Sequence, residues 1–464
     1  MEVAPFRALR YAADKVGELA EVVSLPYDQI DEGGRDARYL QHPFNVVRLI
    51  RPRLEQPGPA AAEPLPATRA GGAPQTRLHQ QARNTLVHWQ QQGVLVQDPL
   101  PSLYPYRQRF SVPGSGEPRE RWAFIGLVRL SPLGAGPISA HEGTFPGIVE
   151  ERSGLRRIVG ADLGLILMLY DDPDGEIDAS LRRQAETAAV AAAVDEAGIS
   201  NELWRWSDAA RLEALVKALR TSEAIIADGH HRYTAALHSW QQRGARPEDP
   251  AGWVMAALVS MATPGLTVLP IHRLVRQAID PQQLSRLCGD IFQIDKLVEE
   301  SDERGAVAAA EAALERHAHD HAFVLVQRHG AGLRADAFHA PAGSLEDAEW
   351  PASVPAVWRR LDVAVLRSLV LEPWLGRALE AQREESGELS FSNRAGEAVG
   401  AVANGRRGAA VLLSPLDLGE LRRVVQAGEV LPSKSTNFHP KAISGLTFHR
   451  FDSLPAVEPE RGGR

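Results

Sequence analysis

The run Ala224-Ile225-Ile226-Ala227-Asp228-Gly229-His230-His231-Arg232-Tyr233 passes from four small or apolar residues, through a polar bend, into helical spacing. Ala224–Ala227 reads as a short buried strand. Tyr233, Ala236, Leu237 and Trp240 then recur at intervals of three and four, so one face of a following helix can dock on a sheet. The bend is therefore held between a strand and a helix N-terminus. Such a terminus offers unpaired backbone N–H groups and about half a positive charge. Gly229 lets a ligand approach the backbone, and Arg232 can grip two phosphate oxygens. Asp228 is suited to cap the helix or hold Mg²⁺, and His230 and His231 to bond phosphate or serve as acid/base groups. The plainer alternative is an N-cap aspartate with two half-buried histidines satisfied by backbone carbonyls.

Upstream, Ser139-Ala140-His141-Glu142-Gly143-Thr144 follows a strand expected at Trp122–Leu130, after a Gly/Pro-rich turn. A glutamate screened from water beside a histidine can take a proton from a hydroxyl; a solvated loop is the alternative. Downstream, Lys434, Ser435, Thr436 and Lys441 fall in a segment pinned by Pro432 and Pro440, where they can neutralise or bond phosphate, or form only a basic turn. Arg273, in Pro270-Ile271-His272-Arg273, is a further phosphate contact or a surface charge. Leu25-Pro26-Tyr27-Asp28 reads first as a helix-capping turn. His317, His319 and His321 read as a solvated helix end, with a metal site as the alternative. There is no P-loop, Rossmann or zincin signature.

Apolar runs predict further strands at Phe44–Ile50, Leu163–Tyr170, Trp253–Met261, Leu266–Ile271, Phe323–Val326 and Ala409–Leu413. Helices are expected at Leu78–Gln92, Ser180–Ala197, Ala209–Leu219, Arg232–Gln242, Ala306–His317, Val363–Leu371 and Leu416–Gln426. The alternation is too irregular for a barrel or a doubly wound sheet, so the expected class is α+β with mixed sheets. Ala251–Ile271 contains no charged residue or histidine, but Thr263-Pro264-Gly265 interrupts it. It reads as a buried hairpin or two adjacent strands, not a membrane span.

The chain has 464 residues, and 59 Asp and Glu against 51 Lys and Arg give a net charge of −8. With 44% hydrophobic residues this is a globular composition that excludes wholesale disorder. The acidic balance argues against a dedicated nucleic-acid binder. The single cysteine, Cys288, excludes a disulfide scaffold. The N-terminus lacks signal-peptide character, so the chain is expected to be cytoplasmic.

Pro5-Phe6-Arg7, Leu25-Pro26-Tyr27-Asp28, Asn45-Val46-Val47-Arg48-Leu49, His141-Glu142-x-Thr144, Asp228-Gly229-His230-His231-Arg232-Tyr233, Pro270-x-His272-Arg273 and Lys434-Ser435-Thr436-x-Phe438-x-Pro440-Lys441 occur in the order seen in the DUF 1015 family, which the chain resembles over nearly its whole length. The Asp-Gly-His-His-Arg elbow is also similar to that of free-serine kinases with a ParB/sulfiredoxin-like fold. The resemblance implies a small-molecule kinase using Mg²⁺ with ATP or ADP. In it Glu142 is the base, His141 its neighbour in the acceptor pocket, and Asp228, His230, His231 and Arg232 the nucleotide-phosphate and Mg²⁺ site; Gly229 belongs to the same phosphate-binding bend. It also implies three segments: 1–115, α+β with a flexible loop near 51–77; 116–275, a ParB/sulfiredoxin-like core; and 276–464, an α+β region closing on the site. The partners are then a nucleotide and a small acceptor. A ParB-type nucleotide-responsive binding protein and a nucleotide hydrolase are the rival expectations. Ala140 stands where the family usually has proline, and Gly143 where arginine is common, which weakens serine as the acceptor more than phosphoryl transfer itself.

Overall fold

The computed structural model describes residues 1–54, 74–280, 283–284, 286, 291–346, 348–375 and 387–451. Cys288 and most of the loop expected near 51–77 lie outside the described residues. The class is mixed α+β. Contacts divide the chain into two compact units, one of Met1–Ser111, Pro118–Leu266 and Pro440–Arg464, the other of Val112–Glu117 and Thr267–His439. This is not the division into 1–115, 116–275 and 276–464. Strands from the first of those segments pair with strands from the second, from Tyr104 opposite Ile125 to Ser111 opposite Pro118.

The first unit is built on a nine-stranded sheet. Its strands are β1 (Val3–Ala4), β2 (Tyr104–Ser111), β3 (Pro118–Arg129), β4 (Ile138–Ala140), β5 (Ile166–Tyr170), β6 (Ala191–Val194), β7 (Ser200–Leu203), β8 (Ala224–Asp228) and β9 (Trp253–Ser260). The order is β4-β8-β5-β9-β3-β2-β7-β6, with β1 paired to β3. β5 and β9 are buried at every residue, as expected for central strands covered on both faces. The helices α1 (Pro74–Gln91), α2 (Pro146–Val159), α3 (Ala209–Leu219) and α4 (His230–Gln242) belong to this unit. The face of α4 carrying Tyr233 and Ala236, both fully buried, joins a core with Trp122, Trp204, Ile226 and Leu258. Leu237 and Trp240 are packed against the same core, as their spacing predicts.

The second unit holds a six-stranded sheet of β10 (His272–Val275), β11 (Gln293–Ser301), β12 (His321–His329), β13 (Gly332–Ala340), β14 (Leu389–Ser392) and β15 (Ala409–Leu413), in the order β11-β13-β12-β15-β10-β14. Helices α5 (Glu303–Arg316) and α6 (Ala395–Ala403) supply its small-residue core, including Ala306, Ala310, Ala398 and Val402.

Several expectations are corrected. Ser180–Ala197 is not one helix. A helix ends at Arg183, a 3-10 turn follows at Gln184–Glu186, and Ala191–Val194 forms edge strand β6, where pairing with β7 overrides alanine's helical preference. Phe44–Ile50 is not a strand, because Val47–Ile50 is a helical turn; Val46, Val47, Leu49 and Ile50 are all buried, which erases any period. Trp253–Met261 and Leu266–Ile271 do not pair with each other. β9 lies in the large sheet, whereas Thr267–Leu269 pairs with Asn437–His439. The turn between them is glycine because a Cβ at Gly265 would collide with the Glu120 backbone. Among the described residues no helix is long and apolar enough to cross a membrane.

Candidate active site

Strands β4 and β8 run parallel, with Ile226 opposite Ala140. His141-Glu142 and Asp228-Gly229-His230 leave those adjacent strands side by side, although 86 residues separate Glu142 from Asp228. A register shift between Ile226 and Asp228 where β8 pairs with β5 turns the chain just before the bend. Gly229 then takes φ +94°, in the left-handed region, at the N-cap of α4. A Cβ there would lie 3.1 Å from the Arg232 guanidinium, so the conformation calls for glycine and a side chain would also press on Arg232.

The two histidines of the bend hold the loop that carries Glu142. His230 Nε2 accepts the backbone N–H of His141 at 3.4 Å, and His231 Nε2 accepts that of Phe145 at 3.0 Å. The Phe145 and His231 rings stack 5.7 Å apart. With Nε2 accepting, the proton of a neutral His230 sits on Nδ1, which lies 3.6 Å from Glu142 Oε2. Burial, with His141 beside it, holds the His230 pKa well below the ordinary imidazole value, so this neighbour of Glu142 is uncharged at neutral pH. Burial likewise lowers the His231 pKa. Glu142 keeps a third of its side chain exposed.

His141 is fully buried, and its Nδ1–H donates to the Ile226 carbonyl at 2.7 Å. Its pKa is pushed down to about 4 by burial. His141, expected beside the base in the acceptor pocket, and His230, expected to bond phosphate or serve as an acid/base group, are two buried, neutral rings that tie β4 to β8 and to α4. Their visible role is positioning.

Asp228 is not placed as a free metal ligand. One oxygen accepts from Lys441 Nζ and the other from Arg232 Nη2, each at 2.5 Å. Burial alone would raise its pKa, but the two cations outweigh that and hold the carboxyl well below the usual carboxylate range. Lys441, expected near phosphate, is thus bound to the elbow through Asp228. Its backbone is held by residues the sequence reading missed. Arg121 donates to the Pro440 carbonyl at 2.5 Å, and Gln108 to the Lys441 carbonyl at 3.0 Å. Both are buried on the β2–β3 hairpin, more than 300 residues away in the chain, and no local spacing links them to Lys441.

Arg232 also donates to the Leu165 carbonyl, while its Nε is buried without a hydrogen-bond partner. It lines a cleft with Pro26, Tyr27, Arg152, Gly164 and Ser444. The Arg152 guanidinium lies 4.2 Å from the centre of the Tyr27 ring. Asp28 acts electrostatically on both His231 and Arg232, so the Leu-Pro-Tyr-Asp turn belongs to the neighbourhood of the elbow.

The remaining expected residues lie in the second unit. Arg273 donates to the carbonyls of Ile271 and Lys434, the Ser435 hydroxyl donates to the Pro432 carbonyl at 2.5 Å, and Lys434 Nζ lies 5.7 Å from the Phe391 ring centre. Thr436 sits half-buried beside them.

His141, Glu142 and His230 each offer one ligand atom within 4.8 Å of the others. Two nitrogens and one carboxylate suit a transition metal better than Mg²⁺, which prefers oxygen donors. With both Asp228 oxygens committed to cations, the residues do not fit Mg²⁺ at Asp228.

A family model for "Protein of unknown function (DUF1015)" matches residues 3–364. The chain belongs to the DUF1015 family. No curated protein matches this DUF1015 chain. Among solved structures, it is 13% identical to a free serine kinase in complex with AMP, over 70% of this chain and 91% of that one, at a TM-score of 0.33. A conserved hypothetical protein from Pyrococcus furiosus is 13% identical over 68% and 90%, at 0.31. SbnI with a C-terminal truncation, from Staphylococcus aureus, is 12% identical over 71% and 88%, at 0.33. Such TM-scores do not establish a ParB/sulfiredoxin-like topology, and the α+β class rests on the chain's own two sheets.

Proposed function

We propose that this DUF1015 chain transfers a phosphoryl group from ATP or ADP to a small hydroxyl metabolite such as free serine. The observation that carries the reading is the placement of Glu142. It is a partly exposed carboxylate, clamped through the loop's own backbone against the N-terminus of α4, where unpaired N–H groups favour an anion. The buried, unspent Nε–H of Arg232 and the cleft beside it support a phosphate-bearing ligand. In the transfer, Glu142 takes the acceptor's hydroxyl proton as that oxygen bonds to the terminal phosphorus. The bond from phosphorus to the nucleotide's bridging oxygen breaks, and ADP or AMP leaves. The uncharged Nδ1–H of His230 faces the carboxylate from 3.6 Å. Most of the acceleration comes from positioning and charge neutralisation. No residue of the elbow is assigned to Mg²⁺, whose usual partners in such reactions are the nucleotide's phosphates.

Glu142→Gln and Arg232→Ala separate the roles. The first is expected to lower transfer by about 10²–10⁴-fold with little change in nucleotide affinity, the second to weaken nucleotide binding itself. Equal loss of nucleotide binding in both variants, measured by titration on protein whose melting temperature is recorded, contradicts the assignment. Phosphate release that is indifferent to added alcohol indicates a hydrolase instead. Nucleotide-dependent retention on DNA at moderate salt indicates a ParB-type binding protein.

A further inference from the structure

In the second unit, Asp295 on β11, His317 at the C-cap of α5 and His339 on β13 converge, each with one ligand atom within 4.8 Å of the others. Asp295 Oδ2 lies 3.6 Å from His317 Nε2 and 3.4 Å from His339 Nε2. The two rings stack with centroids 3.8 Å apart. We propose that Asp295, His317 and His339 form a binding site for a divalent transition cation of the zinc class, independent of the site around Glu142.

Three features argue for it. Metal–nitrogen bonds of about 2.0–2.1 Å in a tetrahedron put neighbouring ligand atoms about 3.3–3.4 Å apart, close to the two separations between Asp295 and the imidazoles. His317 Nδ1 meets Asp320 Oδ2 at 3.1 Å, the carboxylate–histidine arrangement that fixes the proton on Nδ1 and leaves the Nε2 lone pair for a metal. That Nε2 is buried and has no hydrogen-bond partner, a desolvation cost that coordination removes. Two imidazoles with one carboxylate select zinc and its neighbours over Mg²⁺ or Ca²⁺. Coordination turns the rings out of their stack so that each in-plane lone pair meets the ion. Asp295, about half exposed, leaves the remaining position open to water.

The geometry also gives the cation a task. β11 is an edge strand whose pairing with β13 is interrupted twice, between Lys296 and Val298 and between Val298 and Ser301. A metal joining Asp295, His339 and His317 pins that irregular edge to both its neighbouring strand and the end of α5.

The test is made on full-length Glu142→Gln protein, which breaks the His141–Glu142–His230 group. After chelator treatment, Zn²⁺ is titrated calorimetrically, with Mg²⁺ as the control, and Co²⁺ is added to read its visible spectrum. The expected result is one Zn²⁺ per chain, no response to Mg²⁺ and Co²⁺ bands of a nitrogen-ligated site. Adding His339→Gln or Asp295→Asn is expected to weaken binding more than 100-fold, and adding Asp320→Asn about 10–100-fold with stoichiometry kept. Because Asp295 is half exposed, its variant tests the site even if His339→Gln does not fold. Absence of stoichiometric Zn²⁺, or undiminished binding in the folded Asp295→Asn variant, overturns the proposal.

Discussion

Asp228 bridges two partly enclosed cations, Lys441 on one oxygen and Arg232 on the other. Asp228→Asn keeps the shape and removes the charge, so it is expected to cost about 3–5 kcal/mol, the range for breaking a buried ion pair from one side. Urea unfolding of Asp228→Asn, Lys441→Met and the double variant measures the coupling. A double variant no less stable than either single one confirms that the charges act as a set, whereas strict additivity sinks the bridge. Gly229 is constrained in a different way. Gly229→Ala forces a side chain to φ +94° and against Arg232, for an expected loss of about 1–3 kcal/mol in the same assay. An unchanged midpoint would mean that the bend relaxes freely.

At the scale of elements, the parallel contact of β4 with β8 is what joins the two motifs, and the His230–His231 pair is what fixes the loop between them. His231→Ala removes the acceptor for the Phe145 amide and the stacked partner of its ring. It is expected to lower kcat of the proposed transfer about tenfold while leaving nucleotide affinity nearly unchanged, with partial rescue by His231→Gln, whose amide oxygen can accept the same N–H. A loss confined to nucleotide binding would instead return His231 to the role of a hydrogen-bond donor to phosphate. The strand–elbow–helix at residues 224–242 was legible because its period changes from continuous apolar to three-and-four spacing within a few residues. The meeting of Glu142 with His230 was not, since parallel pairing across a long connection leaves no local trace. Nor could spacing tell that both histidines accept backbone N–H groups, because that depends on which ring nitrogen carries the proton. The alternating histidines 317, 319 and 321 read in sequence as a solvated helix end, with a metal site as the alternative. The structure half-buries His317 against His339 and starts β12 at His321, whose Nδ1 lies 2.9 Å from Asp362 Oδ1.

Across the whole molecule, two sheets with separate cores share one chain that returns to the first unit at Pro440. The sequence conveyed the α+β class because strands and helices alternate irregularly. It did not convey the return of the C-terminal segment, which depends on buried Arg121 and Gln108 far away in the chain. One buried group gives the second unit a defined pH response. His272 Nδ1 accepts the Leu413 N–H at 3.2 Å, and burial, aided by Arg273, lowers its pKa to about 4. An unfolded histidine titrates near 6.5, so between about pH 6.5 and 4 the unfolded chain binds the extra proton. The contribution is complete above that window and is lost as pH falls through it, by roughly 3 kcal/mol in all. His272→Gln should flatten the urea midpoint against pH over this range by the equivalent of one proton, and an unaltered slope would contradict the assignment.

Incubating the purified protein with ATP or ADP, Mg²⁺ and a pool of amino acids and other small alcohols, then following products by mass spectrometry, addresses the functional reading head-on. A phosphorylated acceptor formed stoichiometrically with ADP or AMP, and lost in Glu142→Gln protein that still binds nucleotide, is the predicted result. Phosphorylation that survives Glu142→Gln, or nucleotide turnover with no phosphorylated acceptor, would contradict it.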